Sequence, residues 1–193
     1  MKILKTSIDC IDEKIINEAI NVLADGGVVL YPTDTVYGLG ANIFDKKAVR
    51  RVYDIKQRSF LKPFSILVKD IEAIDLVAKV SLNQKKLFYK YLPGPYTFIL
   101  GKRSIVPRSV TSGLNNVGVR VPDCGIACNL ARIFPITTTS ANLSDDEMLS
   151  NPKEILEQLD CDVDLVIDVG DLDSNDPSSI VDLSGFKPRI IRK

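Results

Sequence analysis

The chain has 193 residues, and its 25 Lys and Arg residues balance its 25 Asp and Glu residues, so the formal net charge is zero. It contains no His, which excludes Ser-His-Asp and Cys-His nucleophilic sites and any zinc site that uses His. The zero net charge argues against a generally basic surface for nucleic acid, although a local basic pocket remains allowed.

The same composition indicates a single globular domain over residues 1–193. No apolar run reaches the length of a membrane span and no apolar signal core precedes Asp9, so we expect a cytoplasmic protein that uses no membrane. The cysteines form no CxxC pair, which makes free thiols the expected state and leaves no predicted metal site. They are Cys10, Cys124, Cys128 and Cys161.

Apolar residues at helical spacing alternate with short apolar runs through the N-terminal half of the chain. Asp12 is the expected N-cap of the first helix, Gly26-Gly27 ends that helix, and Asp70 is the expected cap of a later one. The predicted elements are a helix at 15–23, a strand at 28–31, a helix at 48–53, a strand at 64–68 and a helix at 87–91.

The C-terminal half adds more strands than helices. Asn151-Pro152 predicts a helix start, with Asn as the N-cap and Pro at the first helical position. The predicted elements are strands at 96–100 and 117–121, a helix at 124–133, a strand at 136–139, a helix at 152–159 and strands at 165–167, 180–183 and 190–191. This interleaving predicts an α/β fold with a twisted, mixed, open sheet flanked by helices, and the crowded last strands argue against a purely doubly wound sheet.

The segment 31–40, Tyr-Pro-Thr-Asp-Thr-Val-Tyr-Gly-Leu-Gly, directly follows a predicted buried strand. Ligands of α/β sheets favour the carboxyl ends of strands, and the hydroxyls of Thr33 and Thr35 together with the glycines suit a close approach to a ligand. A polar turn that uses glycine for its geometry explains the same residues, and the segment alone does not decide between the two.

A basic segment, Lys56-Gln57-Arg58 with Lys62 close behind, ends the second predicted helix. In an extended backbone Lys56 and Arg58 share a face, and together they could grip a phosphate chain. Cations that complement the helix dipole, or a solvated basic face, are the simpler explanations.

Three further segments place polar groups beside predicted strands. Residues 137–144 are rich in hydroxyls and include Ser140-Ala141-Asn142, which suits an anion but also an Asx turn after a Ser/Thr-rich strand. Arg120 interrupts an apolar strand, so it either faces outward or is paired in a cleft. Ser178 precedes a late strand and Arg192 lies in the tail. The chain has no GxxxxGK[ST] motif, which excludes a P-loop NTPase, and no suitable GxGxxG motif, which leaves a dinucleotide-binding fold without support.

Taken in order, these segments resemble the YrdC/TsaC family of threonylcarbamoyl-AMP synthases in its short, single-domain form. The matching motifs are YPTDTVYGLG at 31–40, KQR at 56–58, LPGPYT at 92–97, VRVP at 119–122, SAN at 140–142 and PSSIVD at 177–182. The resemblance runs from about residue 15 to residue 192, and several ordered motifs make it more specific than any single one.

The resemblance implies a YrdC-like (RibB-like) fold with a large, positively charged concave cleft. It implies a nucleotidyltransferase that makes threonylcarbamoyl-AMP and pyrophosphate from L-threonine, bicarbonate and ATP, with Mg²⁺ accompanying the ATP. Other proteins would then transfer the threonylcarbamoyl group to an adenosine of certain tRNAs, and direct tRNA binding is left open.

The resemblance also implies roles for individual residues. The implied catalytic residues are Lys56, Arg58, Ser140 and Asn142. The implied ATP-binding residues are Lys56, Arg58, Thr111, Ser140, Asn142 and Arg192. The implied threonine-binding residues are Thr33, Thr35, Arg120, Thr138 and Ser178, with Arg120 on the carboxylate.

Three positions depart from the family pattern. Leu67 stands where the family commonly has a His near the substrate, Asp145 stands where a Gly is usual, and LPGPYTFIL at 92–100 is similar to the YciO branch. Two alternatives to the synthase therefore stay open. One is a YciO-like paralogue that binds RNA or processes modified tRNA, and the other is a non-catalytic nucleotide or small-molecule sensor on the same fold.

Overall fold

The computed structural model describes residues 1–193, which form seven helices and eleven strands. The helices are α1 (Glu13–Ala24), α2 (Lys46–Ile55), α3 (Ile74–Val77), α4 (Leu82–Tyr91), α5 (Arg108–Thr111), α6 (Gly125–Leu130) and α7 (Pro152–Leu159). The strands are β1 (Lys2–Lys5), β2 (Val29–Tyr31), β3 (Gly38–Gly40), β4 (Ser65–Leu67), β5 (Ala78–Lys79), β6 (Tyr96–Lys102), β7 (Asn116–Arg120), β8 (Ile136–Ser140), β9 (Leu165–Asp168), β10 (Ser179–Asp182) and β11 (Arg189–Arg192). None of the helices is both long enough and apolar enough to cross a membrane.

The strands form one mixed sheet in the order β1-β9-β2-β3-β8-β4-β7-β6-β10-β11, and β5 pairs with β6 outside this path. The pairs β1–β9, β2–β9, β4–β7 and β6–β10 are parallel. The remaining pairs are antiparallel. The expected α/β class with a mixed sheet is therefore confirmed.

Two hydrophobic cores lie on opposite faces of this sheet. Successive side chains of a strand point to opposite faces, and in β2 Leu30 belongs to the larger core while Val29 and Tyr31 belong to the smaller one. Helices α1 and α6 supply the smaller core, and α2 and α7 supply the larger one. Helices thus flank the sheet on both sides, as predicted.

The helix starts show which capping predictions hold. Asp12 and Asn151 accept hydrogen bonds from the backbone amides of Lys14 and Lys153, at 2.8 and 2.9 Å, so both predicted N-caps are confirmed. Asp70 accepts from the amide of Ala73 at 2.8 Å, but α3 begins after Ala73 with no side-chain cap. Asp70 therefore stabilises the turn before the helix and not the helix itself.

Four short elements escape the sequence-based prediction: β1, β3, β5 and α5. Helix α5 has four residues and β5 has two, which is too short to show a hydrophobic period. Strand β3 begins and ends with glycine, a residue that weakens any strand prediction. Strand β1 is a largely exposed edge strand and lacks an apolar run.

Candidate functional site

One cavity of about 580 Å³ lies against the half of the sheet that contains β4, β6, β7, β8 and β10. Its volume is in the range of small-molecule sites. Four cations line it, namely Arg58, Lys62, Arg120 and Arg192, against one carboxylate, Asp182. Although the chain as a whole is neutral, this cavity is therefore basic and suits an anionic ligand.

The floor of the cavity is a sheet face that the helices leave uncovered. Along β8, Ile136 is fully buried in the smaller core, whereas Thr138 and Ser140 on the same face line the cavity. Along β6, Thr97 and Ile99 line the cavity while the alternate residues pack into the larger core. The site thus forms where α1 and α6 stop covering the sheet.

The loop between β2 and β3 enters the cavity with its backbone held by one hydroxyl. Thr33 Oγ1 accepts from the amides of Thr35 and Val36, at 3.1 and 3.3 Å, and donates to the carbonyl of Val36 at 2.7 Å. Thr33 lines the cavity, whereas Thr35 is buried behind it. The Thr33 hydroxyl therefore fixes the loop as a tight turn.

Two glycines are required by close packing. A Cβ on Gly38 would lie 2.9 Å from the Tyr31 ring, and a Cβ on Gly118 would lie 2.3 Å from Ser65 Oγ. Gly38 therefore leaves room for the Tyr31 ring. This favours a structural role for Gly38 over a role in the approach of a ligand. At Gly118 the missing side chain lets β4 and β7 pack closely on the cavity floor.

Arg120 is paired inside the cleft. Of the two alternatives that the sequence left open, an outward-facing arginine and a paired one, the structure therefore shows the second. The guanidinium Nη2 donates to Asp34 Oδ1 at 2.5 Å and to Thr35 Oγ1 at 2.8 Å, and the Arg120 side chain is only 6% exposed. Arg120 Nε and Asp34 Oδ2 are buried and lack a hydrogen-bond partner. The Nη1 group has no protein partner either, so it is the donor that Arg120 can offer to a ligand.

Arg58 lies in the cavity wall beyond the end of α2. Its Nε and Nη2 donate to the carbonyls of Lys62 and Pro63, each at 3.1 Å, and the guanidinium lies 5.4 Å from the centre of the Phe64 ring. Burial lowers the pKa of Arg58 from its ordinary value, although the group stays positively charged. These contacts orient the guanidinium and leave Nη1 without a protein partner.

Lys56 does not line the cavity, although its motif partner Arg58 does. Its side chain is buried, and Nζ donates to the carbonyl oxygens of Ser140 and Asn142. Burial, together with the nearby charge of Arg58, lowers the pKa of Lys56 to about 7. The residue therefore contacts the loop after β8 in place of the cavity.

The tail and the 177–182 segment close the opposite wall. Thr97 and Ser178 share a hydrogen bond between their hydroxyl oxygens at 2.9 Å. Arg192 donates from Nε and Nη2 to the carbonyl of Ser178, at 3.0 and 2.6 Å, and burial lowers its pKa. The C-terminal strand β11 thereby positions an arginine and a hydroxyl pair on the same wall.

The predicted site residues divide into two groups. Those that line the cavity are Thr33, Arg58, Arg120, Thr138, Ser140, Ser178 and Arg192. Those that do not are Thr35, Lys56, Thr111 and Asn142. Thr111 is fully buried on α5 and its hydroxyl has no hydrogen-bond partner. Leu67, at the position where the family commonly has His, is fully buried in the smaller core and is not a cavity residue.

The sequence-based prediction missed several lining residues, including Ser65, Thr97, Asn116 and Asp182. Of these, only Thr97 gives a signal within its own strand, because it is the one polar residue of the run 96–100 in β6. A polar residue in an apolar strand predicts that the two faces of the strand differ. It does not reveal whether the more polar face meets solvent, a helix or a ligand cavity.

Comparisons with known proteins agree with this architecture. A family model for Sua5, YciO and YrdC proteins, described as "Telomere recombination", matches residues 21–193. A Methanocaldococcus jannaschii protein named "Putative threonylcarbamoyl-AMP synthase" is 42% identical over 171 residues, covering 89% of this chain and 81% of that protein. The threonylcarbamoyl-AMP synthase of Pyrococcus abyssi is 34% identical over 185 residues, covering 94% of this chain and 54% of that protein.

Two solved structures superpose over the whole chain. The crystal structure of P. abyssi Sua5 complexed with L-threonine has a TM-score of 0.93 and 32% identity, and the match covers 100% of this chain and 57% of that one. The crystal structure of Escherichia coli YciO has a TM-score of 0.91 and 32% identity, with coverage of 100% and 96%. The chain thus spans little more than half of the P. abyssi protein and nearly all of YciO. It belongs to the Sua5/YciO/YrdC family.

Proposed function

We propose that this protein is a threonylcarbamoyl-AMP synthase, which forms threonylcarbamoyl-AMP and pyrophosphate from L-threonine, bicarbonate and ATP. The observation that carries the proposal is the single basic cavity, which brings together Arg58, Ser140, Arg120 and Ser178 from four separate motifs. The relatives named as synthases and the threonine complex of P. abyssi Sua5 support this function over the YciO-like alternative.

The nucleotide phosphates are assigned to the wall that carries Arg58, Ser140 and Lys62. Backbone carbonyls orient the Arg58 guanidinium, and its unpartnered Nη1 is a charge-assisted donor for a phosphate oxygen. Ser140 adds a hydroxyl beside it. Arg192 enters from the opposite wall and supplies further positive charge.

L-Threonine is assigned to the wall that carries Arg120, Thr33 and Ser178. Arg120 offers Nη1 to the amino-acid carboxylate, while Asp34 and Thr35 hold its Nη2. One of the paired hydroxyls of Thr97 and Ser178 donates to the other, so both oxygens can accept from threonine and the second hydroxyl can also donate to it. Thr35 therefore acts through Arg120, without a place in the cavity lining.

The proposed reaction needs positioning and charge more than acid-base catalysis, which fits a chain without His. The threonine amine and bicarbonate condense to a carbamate with loss of one water, and a carbamate oxygen then attacks the α-phosphorus as pyrophosphate leaves. Holding the reactants in line supplies much of the rate, and the cations of the cavity offset the charge on the phosphates.

Mg²⁺ is proposed to enter with the ATP phosphates. The residues of the cavity do not form a protein cage for it, because the one lining carboxylate, Asp182, already accepts from Ser184 and Arg189. Mg²⁺ commonly keeps its waters and binds substrate phosphates, so its ligands here would come from ATP and water. Direct tRNA binding, transfer partners and a cytoplasmic location remain predictions.

The proposal is tested by pyrophosphate release from the purified protein. We expect release to require ATP, L-threonine and bicarbonate together, and to stop when any one is omitted. Release without threonine, or no release, would reject the synthase. Salt-sensitive tRNA binding without threonine-dependent ATP use would favour the YciO-like alternative. ATP binding without turnover in any substrate mixture would favour a nucleotide sensor.

A further inference from the structure

Lys56 is a buried lysine that contacts only the protein. It immediately follows α2, is 1% exposed and is not a lining residue of the cavity. Its Nζ donates to the carbonyl oxygens of Ser140 and Asn142, each at 2.5 Å, and to Asn142 Oδ1 at 3.1 Å. Nζ has three N–H donors when protonated and two when neutral, so these three oxygens leave none for a ligand in either state.

The partners of Lys56 form a closed network around the loop after β8. Ser140 Oγ donates to Asn142 Oδ1 at 2.6 Å, and Asn142 Nδ2 donates to the carbonyl of Asp146 at 2.8 Å. The Ser144 amide donates to the carbonyl of Lys56 at 3.0 Å. Both the side chain and the backbone of Lys56 therefore fix residues 140–146.

We propose that Lys56 is a positioning residue, which orders the 140–146 loop and acts on the ligand only through Ser140 and Asn142. The inference rests on the proposed function, because Ser140 is the member of this network that lines the cavity. It assigns the two cations of the 56–58 segment different tasks. Arg58 faces the ligand, and Lys56 holds the loop that presents the Ser140 hydroxyl.

Direct phosphate binding by Lys56 would require a different arrangement. Nζ would have to leave two carbonyls that have no other side-chain donor, and the carbonyls would lose hydrogen bonds in a buried site. Such an exchange is costly, and Lys62 already supplies an exposed ammonium group in the cavity wall. The phosphate charge can therefore be met without moving Lys56.

Two substitutions at one position separate the two roles. Lys56→Met removes the charge and every donor, whereas Lys56→Gln removes the charge but keeps an amide donor on a chain one bond shorter. If Lys56 orders the loop, the Gln variant retains more activity and more loop protection than the Met variant. If Lys56 instead binds phosphate through its charge, both variants lose activity and ATP affinity to the same extent.

Amide hydrogen exchange of residues 140–146 in the ligand-free protein gives a readout that does not depend on activity. We expect exchange at Ser144 to rise about tenfold or more in Lys56→Met and less in Lys56→Gln. Lys62→Met is the matched lysine control, because Lys62 lines the cavity and makes no bond to this loop except through the exposed Asp145 side chain. We expect its exchange to match the wild type.

Kinetics of threonine-dependent pyrophosphate release complete the test. Lys56→Met is expected to lower kcat about tenfold or more while changing the KM for ATP less than threefold. Adding Asn142→Ala should lower kcat little further, because the two residues act together.

The proposal would be overturned by unchanged loop exchange in Lys56→Met, by equal effects of the Met and Gln variants, or by independent effects of Lys56 and Asn142. If the wild type releases no pyrophosphate, the synthase proposal fails, while loop exchange still decides whether Lys56 orders the loop. If Lys56→Met does not fold, the wild type and Lys56→Gln provide the same comparison.

Discussion

The two ends of the cavity neutralise their cations in different ways. The Arg120 end is formed by Thr33, Asp34, Thr35, Arg120 and Ser178. There the largely buried carboxylate of Asp34 balances the arginine. The Arg58 end is formed by Lys56, Arg58, Lys62, Ser140, Asn142 and Asp145. There Arg58 and Lys56 donate hydrogen bonds to backbone carbonyls. The only ion pair at this end, Lys62–Asp145, is exposed.

This difference matches the charges of the proposed substrates. A carbonyl orients a cation without cancelling its charge, so the Arg58 end keeps positive charge for a polyphosphate. The Arg120–Asp34 pair has no net charge, and it fixes the position of the free donor Nη1 of Arg120. A single amino-acid carboxylate needs such orientation more than it needs a strong field.

The largest expected effect comes from breaking the buried pair with Arg120→Met. Removing the arginine leaves Asp34 charged and largely buried, and breaking such a pair costs about 3 kcal/mol of the free energy of unfolding. Urea unfolding monitored by circular dichroism measures this cost. The double variant Arg120→Met/Asp34→Asn is the control and should recover part of the loss. A loss below about 1 kcal/mol would show that the pair is not a determinant of stability.

Arg58→Ala tests the other end and should affect activity far more than stability. Losing this cavity-lining cation is expected to lower threonine-dependent pyrophosphate release roughly 100-fold. Arg50→Ala is the matched control, since Arg50 is an exposed arginine whose guanidinium lies 5.4 Å from the Phe60 ring, outside the cavity. The control should keep wild-type activity, and an unchanged rate in Arg58→Ala would remove Arg58 from the site.

The pH dependence of stability should differ between the wild type and Lys56→Met. Burial lowers the pKa of Lys56 to about 7 in the folded protein, against 10.5 when unperturbed. Between these values the unfolded chain binds the proton that the folded protein has lost, so the free energy of unfolding rises with pH. Urea midpoints at about pH 6 and about pH 9 should therefore show the wild type gaining stability relative to the variant. A difference that is independent of pH would contradict the depressed pKa.

The smallest expected effect concerns the exposed carboxylate of the Arg58 end. Asp145 accepts from Lys62 Nζ at 3.1 and 2.9 Å, and this hydrogen bond lowers the pKa of Asp145. Asp145→Asn should free Lys62 and strengthen ATP binding about twofold to threefold, less so at high salt. Asn also tolerates the positive φ of 72° at this position.

Titration calorimetry with ATP measures the change in affinity. The control is Asp146→Asn, which removes a neighbouring unpaired carboxylate and should leave the affinity for ATP unchanged. Equal changes in both variants would argue for a general charge effect.

The sequence identified the cations better than it identified their partners. Arg58 and Arg120 could be selected because each stands in a motif, and Arg192 because the family resemblance implied its role; all three line the cavity. Nothing in the spacing of Lys56 and Arg58 shows that Arg58 lines the cavity and that Lys56 contacts the loop after β8. That choice depends on a contact between residues 84 positions apart or more.

Local sequence patterns also do not predict where the cavity lies on the sheet. In β6 only Thr97 interrupts the apolar run at 96–100, and β8 reads Ile-Thr-Thr-Thr-Ser without alternation, so neither strand marks its cavity face in the sequence. The open face is decided by where α1 and α6 end above the sheet. The helix starts at Asp12 and Asn151 were predictable because capping is a local interaction. Leu67 is a position that the sequence placed wrongly. The family resemblance implied that it lies near the substrate, whereas in the structure it packs in the smaller core.

The most direct test of the synthase proposal is mass spectrometry of the reaction product made with isotopically labelled bicarbonate. The purified protein, given ATP, Mg²⁺ and L-threonine, should form threonylcarbamoyl-AMP in which the labelled carbon is retained, in an amount equal to the pyrophosphate released. Arg58→Ala should form far less, and Arg50→Ala as much as the wild type. Pyrophosphate release with no labelled threonylcarbamoyl-AMP would contradict the assignment of threonine and nucleotide to the two ends of one cavity.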